Sequence, residues 1–261
     1  MIEARALIGY TGFVGGNLRR QGTFDHLFNS SNIDDIRGRH FDRVVCAGTP
    51  GVKWRANQDP ETDLAAVTRL IRALDHVEAG HVVVISTVDV YPTPVDVDEE
   101  TPIDRAAGHA YGRHRLMLED AVRARFATTV LRLPGLFGPG LKKNIIYDLL
   151  HGNQVDQISP DSRFQFYDLT ALTADIERVI AAGLEVVNLS TEPVSVAEVA
   201  REGFGMTFEN AAVPTPVRYD MRTKWGDRLG GRNGYLQDRR DVLDRIRAFV
   251  RAERRQIGTR S

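Results

Sequence analysis

Three glycines near the start of the chain follow the spacing Gly9-x-x-Gly12-x-x-Gly15, between the apolar residues 4–8 and a helical stretch reaching about residue 20. Such a turn suits a pyrophosphate. The first glycine permits the tight turn, the second lets backbone come close to the ligand, and the third lets the helix pack on the strand. The phosphates would meet unpaired N–H groups at the helix N-terminus. Gly9, Thr11, Gly12, Phe13, Val14 and Gly15 are therefore the expected dinucleotide loop. A second strand over residues 25–30 would carry the group that faces the adenine ribose. It offers Asn29 and Ser30, neither the acid that favours NAD nor the arginine that favours NADP, so the coenzyme is read as NAD or NADP.

The loop needs strands and helices to hold it. Residues 41–47 contain Val44, Val45 and Cys46 in an unbroken apolar run, as expected of a parallel strand covered on both faces. Residues 81–86 and 128–133 read the same way. Leu64, Val67, Leu70, Ile71 and Leu74 form one stripe of a helix that begins near Pro60 and stops before Gly80, and a further helix is expected over residues 111–125. Strands alternating with helices predict an α/β fold, a Rossmann-type doubly wound parallel sheet. Past about residue 135 the pattern loosens. Residues 144–150 and 172–182 read as helical and 164–167 and 186–189 as extended. Ser195 reads as a helix cap with Glu198 as its partner, and Leu243, Ile246, Phe249 and Val250 mark a closing helix. The expectation is one unit over residues 1–261. Its dinucleotide-binding core spans about 1–135, and about 136–261 holds the rest of the sheet and a small C-terminal substrate-binding cap.

Several further motifs occur in an order that resembles the extended short-chain dehydrogenase/reductases, the NAD-dependent epimerase/dehydratase family. After the glycine loop come Ala47-Gly48, Ser86-Thr87 with Val90-Tyr91, Tyr111-Gly112, and Leu131-Arg132 through Gly138-Pro139-Gly140. Asn188-Leu189, Val194-Ser195-Val196 and Leu229-Gly230 follow. The resemblance implies that Tyr111 is the general acid/base and that Thr87 holds the substrate oxygen. It also implies that the residue four beyond the tyrosine binds the nicotinamide ribose and lowers the phenol pKa. A free phenol ionises near pH ~10, and a fixed cation one helical turn away favours phenolate. The residue there is Arg115, giving Tyr-x-x-x-Arg where the family has Tyr-x-x-x-Lys. Arginine keeps the charge, but its planar fork demands a different geometry.

The resemblance adds Ala47, Gly48, Ser86 and Pro134 to the coenzyme contacts, and implies a homodimer and a small-molecule, sugar-linked substrate. The expected function is that of an NAD(P)-dependent oxidoreductase or epimerase/dehydratase acting on a sugar or nucleotide-sugar-like hydroxyl or carbonyl. The departure at Arg115 motivates an alternative, a nonenzymatic dinucleotide-binding sensor or regulator. Lys53, Trp54 and Asp89 on the loops, with Asn144 and Arg163 in the cap, are the candidate substrate residues, Arg163 for an anionic group.

Composition excludes other classes. Lys plus Arg number 34 against 35 Asp plus Glu, a net charge of −1, so no global field draws the chain to nucleic acid or an anionic membrane. No apolar run approaches the ~18 residues that span a bilayer. The seven histidines include no His-x-x-x-His pair and Cys46 stands alone, so no metal site is expected. One cysteine cannot form an intrachain disulfide, and the expected location is cytoplasmic.

Overall fold

The structure, a computed structural model, describes residues 4–210 and 215–258. Six strands form one parallel sheet: β1 (Arg5–Ile8), β2 (His26–Phe28), β3 (His40–Cys46), β4 (Glu78–Thr87), β5 (Thr128–Leu133) and β6 (Val186–Asn188), in the order β6-β5-β4-β3-β1-β2. Leu7 sits between Val45 and Leu27, Val82 between Val44 and Thr128, and Leu131 between Ile85 and Val187. The apolar runs form strands because both faces are covered: Ile8, Val44, Cys46, Val82, Val84 and Val130 are buried on one face with Val67, Leu70 and Leu118 from the helices, and the alternate residues Leu7, Val45, Val83 and Leu131 are buried on the other. Strand order reverses at β1, which has β2 on one side and β3 on the other. In open parallel sheets, ligands bind beyond the carboxyl ends of the strands at such a point.

Four helices matter for the site: α1 (Phe13–Gln21), α2 (Lys53–Gln58), α3 (Pro60–Leu74) and α4 (Ala110–Arg123). α3 starts where expected because Asp59 accepts from the Thr62 N–H at 3.1 Å and Pro60 occupies the first turn. α2 lies in the stretch between Gly48 and Pro60 that the periodicity leaves as a loop. Cys46 is fully buried in β3, and burial pushes its thiol up to about 11, which leaves it without nucleophilic character near neutrality.

The chain divides into two compact units whose segments interleave. The first comprises Met1–Thr93, Glu100–Leu133 and Thr170–Asn188, and the second comprises Pro94–Glu99, Pro134–Leu169 and Leu189–Ser261. The last sheet strand, β6, comes from beyond residue 135, the stretch in which the sequence pattern places the rest of the sheet, and it belongs to the first unit. In the second unit Phe137, Ile146, Phe166, Val196 and Phe204 pack with Val242, Ile246 and Val250 of the helix Arg239–Gly258. Ser195 and Glu198 form the expected reciprocal cap, with Ser195 N–H to Glu198 Oε2 at 2.7 Å and Glu198 N–H to Ser195 Oγ at 3.1 Å. The backbone then continues as a π-helical turn over Val199–Phe204, which the pattern did not announce. No helix among the described residues is long and apolar enough to cross a membrane.

Candidate active site

The turn after β1 is built by close backbone approach. Gly9 has φ +86°, and a Cβ there would lie 2.2 Å from the Ala47 carbonyl oxygen, so Ala47 and Gly48 stand directly against the turn. Gly12 N–H closes the turn on the Gly9 carbonyl at 2.9 Å. A Cβ on Gly15 would lie 2.1 Å from that same Gly9 oxygen. Thr11 and Gly12 are exposed, no side chain caps α1, and no acidic residue occupies its first turn. This arrangement fits a diphosphate, with the helix N-terminal N–H groups of Phe13, Val14 and Gly15 as the donors.

Gly15→Ala is expected to force α1 off the turn, costing about 1–3 kcal/mol of stability and at least ~10-fold in dinucleotide affinity. Calorimetric titration checks this; unchanged affinity would mean that the turn is not the coenzyme cradle.

Beyond β2, Asn29 closes its own turn through its side-chain oxygen. Its Oδ1 accepts from Ser31 N–H at 2.8 Å and Ser31 Oγ at 2.6 Å, while the Ser30 carbonyl accepts from Arg69 at 2.9 Å. Ser86 also faces inward and donates to Glu119, which pairs with Arg132 at 2.7 Å. Arg132 Nη1 in turn donates to the Tyr91 hydroxyl at 2.8 Å, and the Asn188 amide donates to that hydroxyl at 3.1 Å. These groups are all buried, so the network satisfies the ends of β4, β5 and β6.

Tyr111 and Thr87 lie on adjoining elements. Thr87 ends β4 and Tyr111 lies in the first turn of α4, where a Cβ on Gly112 would be 1.9 Å from the Asp89 carbonyl oxygen. Only a glycine lets α4 sit that close to the turn Val88–Val90. His109 caps the helix, accepting the Gly112 N–H at 3.3 Å, and Asn57 of α2 accepts the Tyr111 N–H at 3.1 Å. Burial raises the Tyr111 phenol above its ordinary range. The charge of Arg115 opposes this, Asp89 adds to it, and a hydrogen bond from Thr87 and the charge of Lys53 oppose it less strongly.

Arg115 is 2% exposed and lies over the Tyr111 ring, its central carbon 3.9 Å from the ring centroid. Asp63 of α3 grips it with two bonds, Nη1 to Oδ2 at 2.5 Å and Nη2 to Oδ1 at 2.9 Å. Nη1 also donates to the Tyr111 carbonyl at 3.1 Å, Nη2 to the Pro50 carbonyl, and Nε is buried without a partner. His114 Nδ1 shares Asp63 at 2.7 Å.

Lys53 lies in α2 with its ammonium 2.7 Å from Asp89 Oδ1, and Trp54 beside it is 67% exposed. Pro134, Asn144 and Arg163 belong to the second unit. Asn144 there caps the helix Ile145–His151, accepting from Ile146 and Tyr147 N–H at 3.0 and 3.3 Å and donating to the Leu136 carbonyl at 2.7 Å. Arg163 lies 3.9 Å from Glu198, and Pro134 is buried. Sequence reading missed α2, the Asp63–Arg115 pair and the Glu119–Arg132 pair. The signal was present: Asp63 falls on the same helical stripe as Val67, Leu70 and Leu74.

A parallel sheet with an uncapped glycine turn at its switch point defines a dinucleotide-binding fold of the Rossmann type. The chain belongs to the NAD dependent epimerase/dehydratase family, whose family model matches residues 6–151. No curated protein matches the sequence. Among solved structures, the chain is similar to a dTDP-4-dehydrorhamnose reductase from Clostridium acetobutylicum at 15% identity and TM-score 0.72, covering 96% of this chain and 99% of that one. It is similar to RMD from Pseudomonas aeruginosa, complexed with NADPH, at 17% identity and TM-score 0.69, with 96% and 99% covered. MoeE5 in complex with UDP-glucose and NAD is 18% identical with TM-score 0.69, covering 97% and 99%. At these identities the likeness is one of fold.

Proposed function

We propose that the protein is an NAD(P)-dependent oxidoreductase or epimerase/dehydratase-type enzyme acting on a hydroxyl or carbonyl carbon of a sugar or nucleotide sugar. The observation that carries this reading is the packing of the start of α4, which bears Tyr111, against the turn that follows Thr87, in the same unit as the uncapped glycine turn. Family membership and the nucleotide-sugar and coenzyme complexes of similar folds support the substrate class.

The amides of Phe13, Val14 and Gly15, with Ala47 and Gly48 beside them, would hold the coenzyme, which when bound would supply or accept the hydride. Thr87 donates a hydrogen bond that fixes the substrate oxygen. Tyr111, protonated at neutral pH because its phenol is raised, gives its proton to that oxygen as a carbonyl becomes a carbinol, and takes it back in the reverse direction. Arg115 props the ring from its face. Pro134 enters this reading as a coenzyme contact and Asn144 and Arg163 as substrate residues of the cap, and a homodimer and a cytoplasmic location belong to it as well.

The test pairs calorimetry with NAD(H) and NADP(H) and turnover on a panel of nucleotide sugars. Micromolar binding with coenzyme-dependent turnover is expected. Binding without turnover on any member would favour the sensor, and no binding to either coenzyme would overturn both.

A further inference from the structure

Residues 29–32, which follow β2, hold neither an acid nor an arginine, yet the fold brings both to them. Gly9 of the glycine turn donates its N–H to the Phe28 carbonyl at 2.7 Å, which fixes the end of β2 beside the turn. Two residues on, the Ser30 carbonyl accepts from Arg69 Nη1 of α3 at 2.9 Å. A hydrogen bond thus sets this guanidinium against the segment that faces the adenine ribose in a dinucleotide fold. Arg69 Nη2 also reaches Asp34 Oδ2 at 2.5 Å, and Arg37 Nη2 reaches Asp34 Oδ1 at 3.2 Å.

An acid at this place favours a free ribose 2′-hydroxyl, and an arginine favours a 2′-phosphate. Charge and hydrogen-bonding capacity decide between them. Each oxygen of Asp34 already faces a guanidinium, so one negative charge is matched by two positive ones. Asn29 Oδ1 accepts twice from Ser31, which fills both its lone pairs. Arg69 is about half exposed, and the Ser30 and Asp34 bonds occupy two of its five N–H donors, leaving the others for an anion. The open groove between the turn Ile33–Ile36 and α3 is lined by Asp34, Arg37, Glu61, Arg69 and Arg72, three guanidinium groups against two carboxylates on a chain whose net charge is −1.

We infer that Arg69, with Arg37 beside it, forms a 2′-phosphate subsite, so that the protein prefers NADP(H) to NAD(H). The inference rests on the glycine turn holding a dinucleotide, and it names the residues that choose between the two coenzymes. Arg69 is the contact because its planar fork suits phosphate oxygens. Asp34 and the Ser30 carbonyl are positioning groups, which hold that fork at the end of β2.

Calorimetric titration of the full chain with NADPH and with NADH tests this without any substrate. The parent protein is expected to bind NADPH at least ~10-fold more tightly than NADH, the worth of one hydrogen bond to a charged group. That ratio is expected to shrink as salt is raised, because the guanidinium groups are exposed. Arg69→Gln is expected to bring the two affinities within about three-fold by weakening NADPH alone, with NADH held within about two-fold of the parent. An unchanged ratio in that variant overturns the inference. In Asp34→Asn, undiminished NADH binding supports it, whereas a selective loss of NADH binding would show that the carboxylate reads the ribose, and overturns it. A parent that binds NADH as tightly as NADPH also overturns it, and leaves the dinucleotide reading standing. Binding of neither coenzyme removes both. Should Arg69→Gln fail to fold, the parent's affinities for AMP and for 2′-phosphorylated AMP decide, tighter binding of the second supporting the subsite and equal binding overturning it.

Discussion

Tyr111→Phe is expected to lower turnover by about 10²–10⁴-fold while leaving coenzyme affinity within about two-fold of the parent protein. The ring survives the change, so its stacking against Arg115 and the Asn57 bond to its backbone survive with it. Only the phenol oxygen is lost, and with it the group that exchanges a proton with the substrate oxygen. Steady-state rates and calorimetric titration on the same preparation measure the two quantities. Turnover within ten-fold of the parent would show that another group, or water, carries the proton.

The second large effect concerns stability. Asp63→Ala removes the carboxylate that holds Arg115 by two bonds and His114 by one, leaving a guanidinium that is 2% exposed without its counter-ion. Breaking a buried pair in this way costs about 3–5 kcal/mol, which for a chain of this length lowers Tm by roughly 6–20 °C. The double change Asp63→Leu with Arg115→Met is expected to recover most of that loss, since replacing both partners by apolar groups strands no charge. Thermal unfolding of both variants is the measurement. A single variant melting within ~2 °C of the parent would mean that solvent already reaches the pair, against the burial on which the argument stands.

The sequence carried the sheet clearly and the charge pairs poorly, for one physical reason. Val44, Val45 and Cys46, or Val82 through Ile85, announce a strand because burial on both faces demands an unbroken apolar run. The same rule hides the exceptions. Arg132 interrupts its strand after Val130 and Leu131, and Glu119 interrupts the buried face of α4 between Leu118 and Val122; each looks like a solvated charge until the two are found paired. α2 was illegible because six residues span fewer than two turns, too few for a period to show.

The glycine turn was legible because its requirements are steric and local. Tyr111 and Thr87 were legible as a pair only through the resemblance, whereas the guanidinium stacked on the ring was not. Spacing places Arg115 one turn from Tyr111, but it does not reveal that Asp63, far away in the chain, pins the fork over the ring.

The interleaving of the two units limits how this protein can be dissected. A gene fragment ending at Leu133 would encode the glycine turn, Thr87 and Tyr111, yet it would lack β6, and with it Asn188, whose amide reaches the Tyr91 hydroxyl. The outer backbone edge of β5 would then be bare along an apolar strand, a template for pairing with other chains. Such a fragment is expected to collect in inclusion bodies. On the ribosome, too, the sheet must wait for residues 186–188 before its rim is closed, well after every group of the proton-transfer pair has been made.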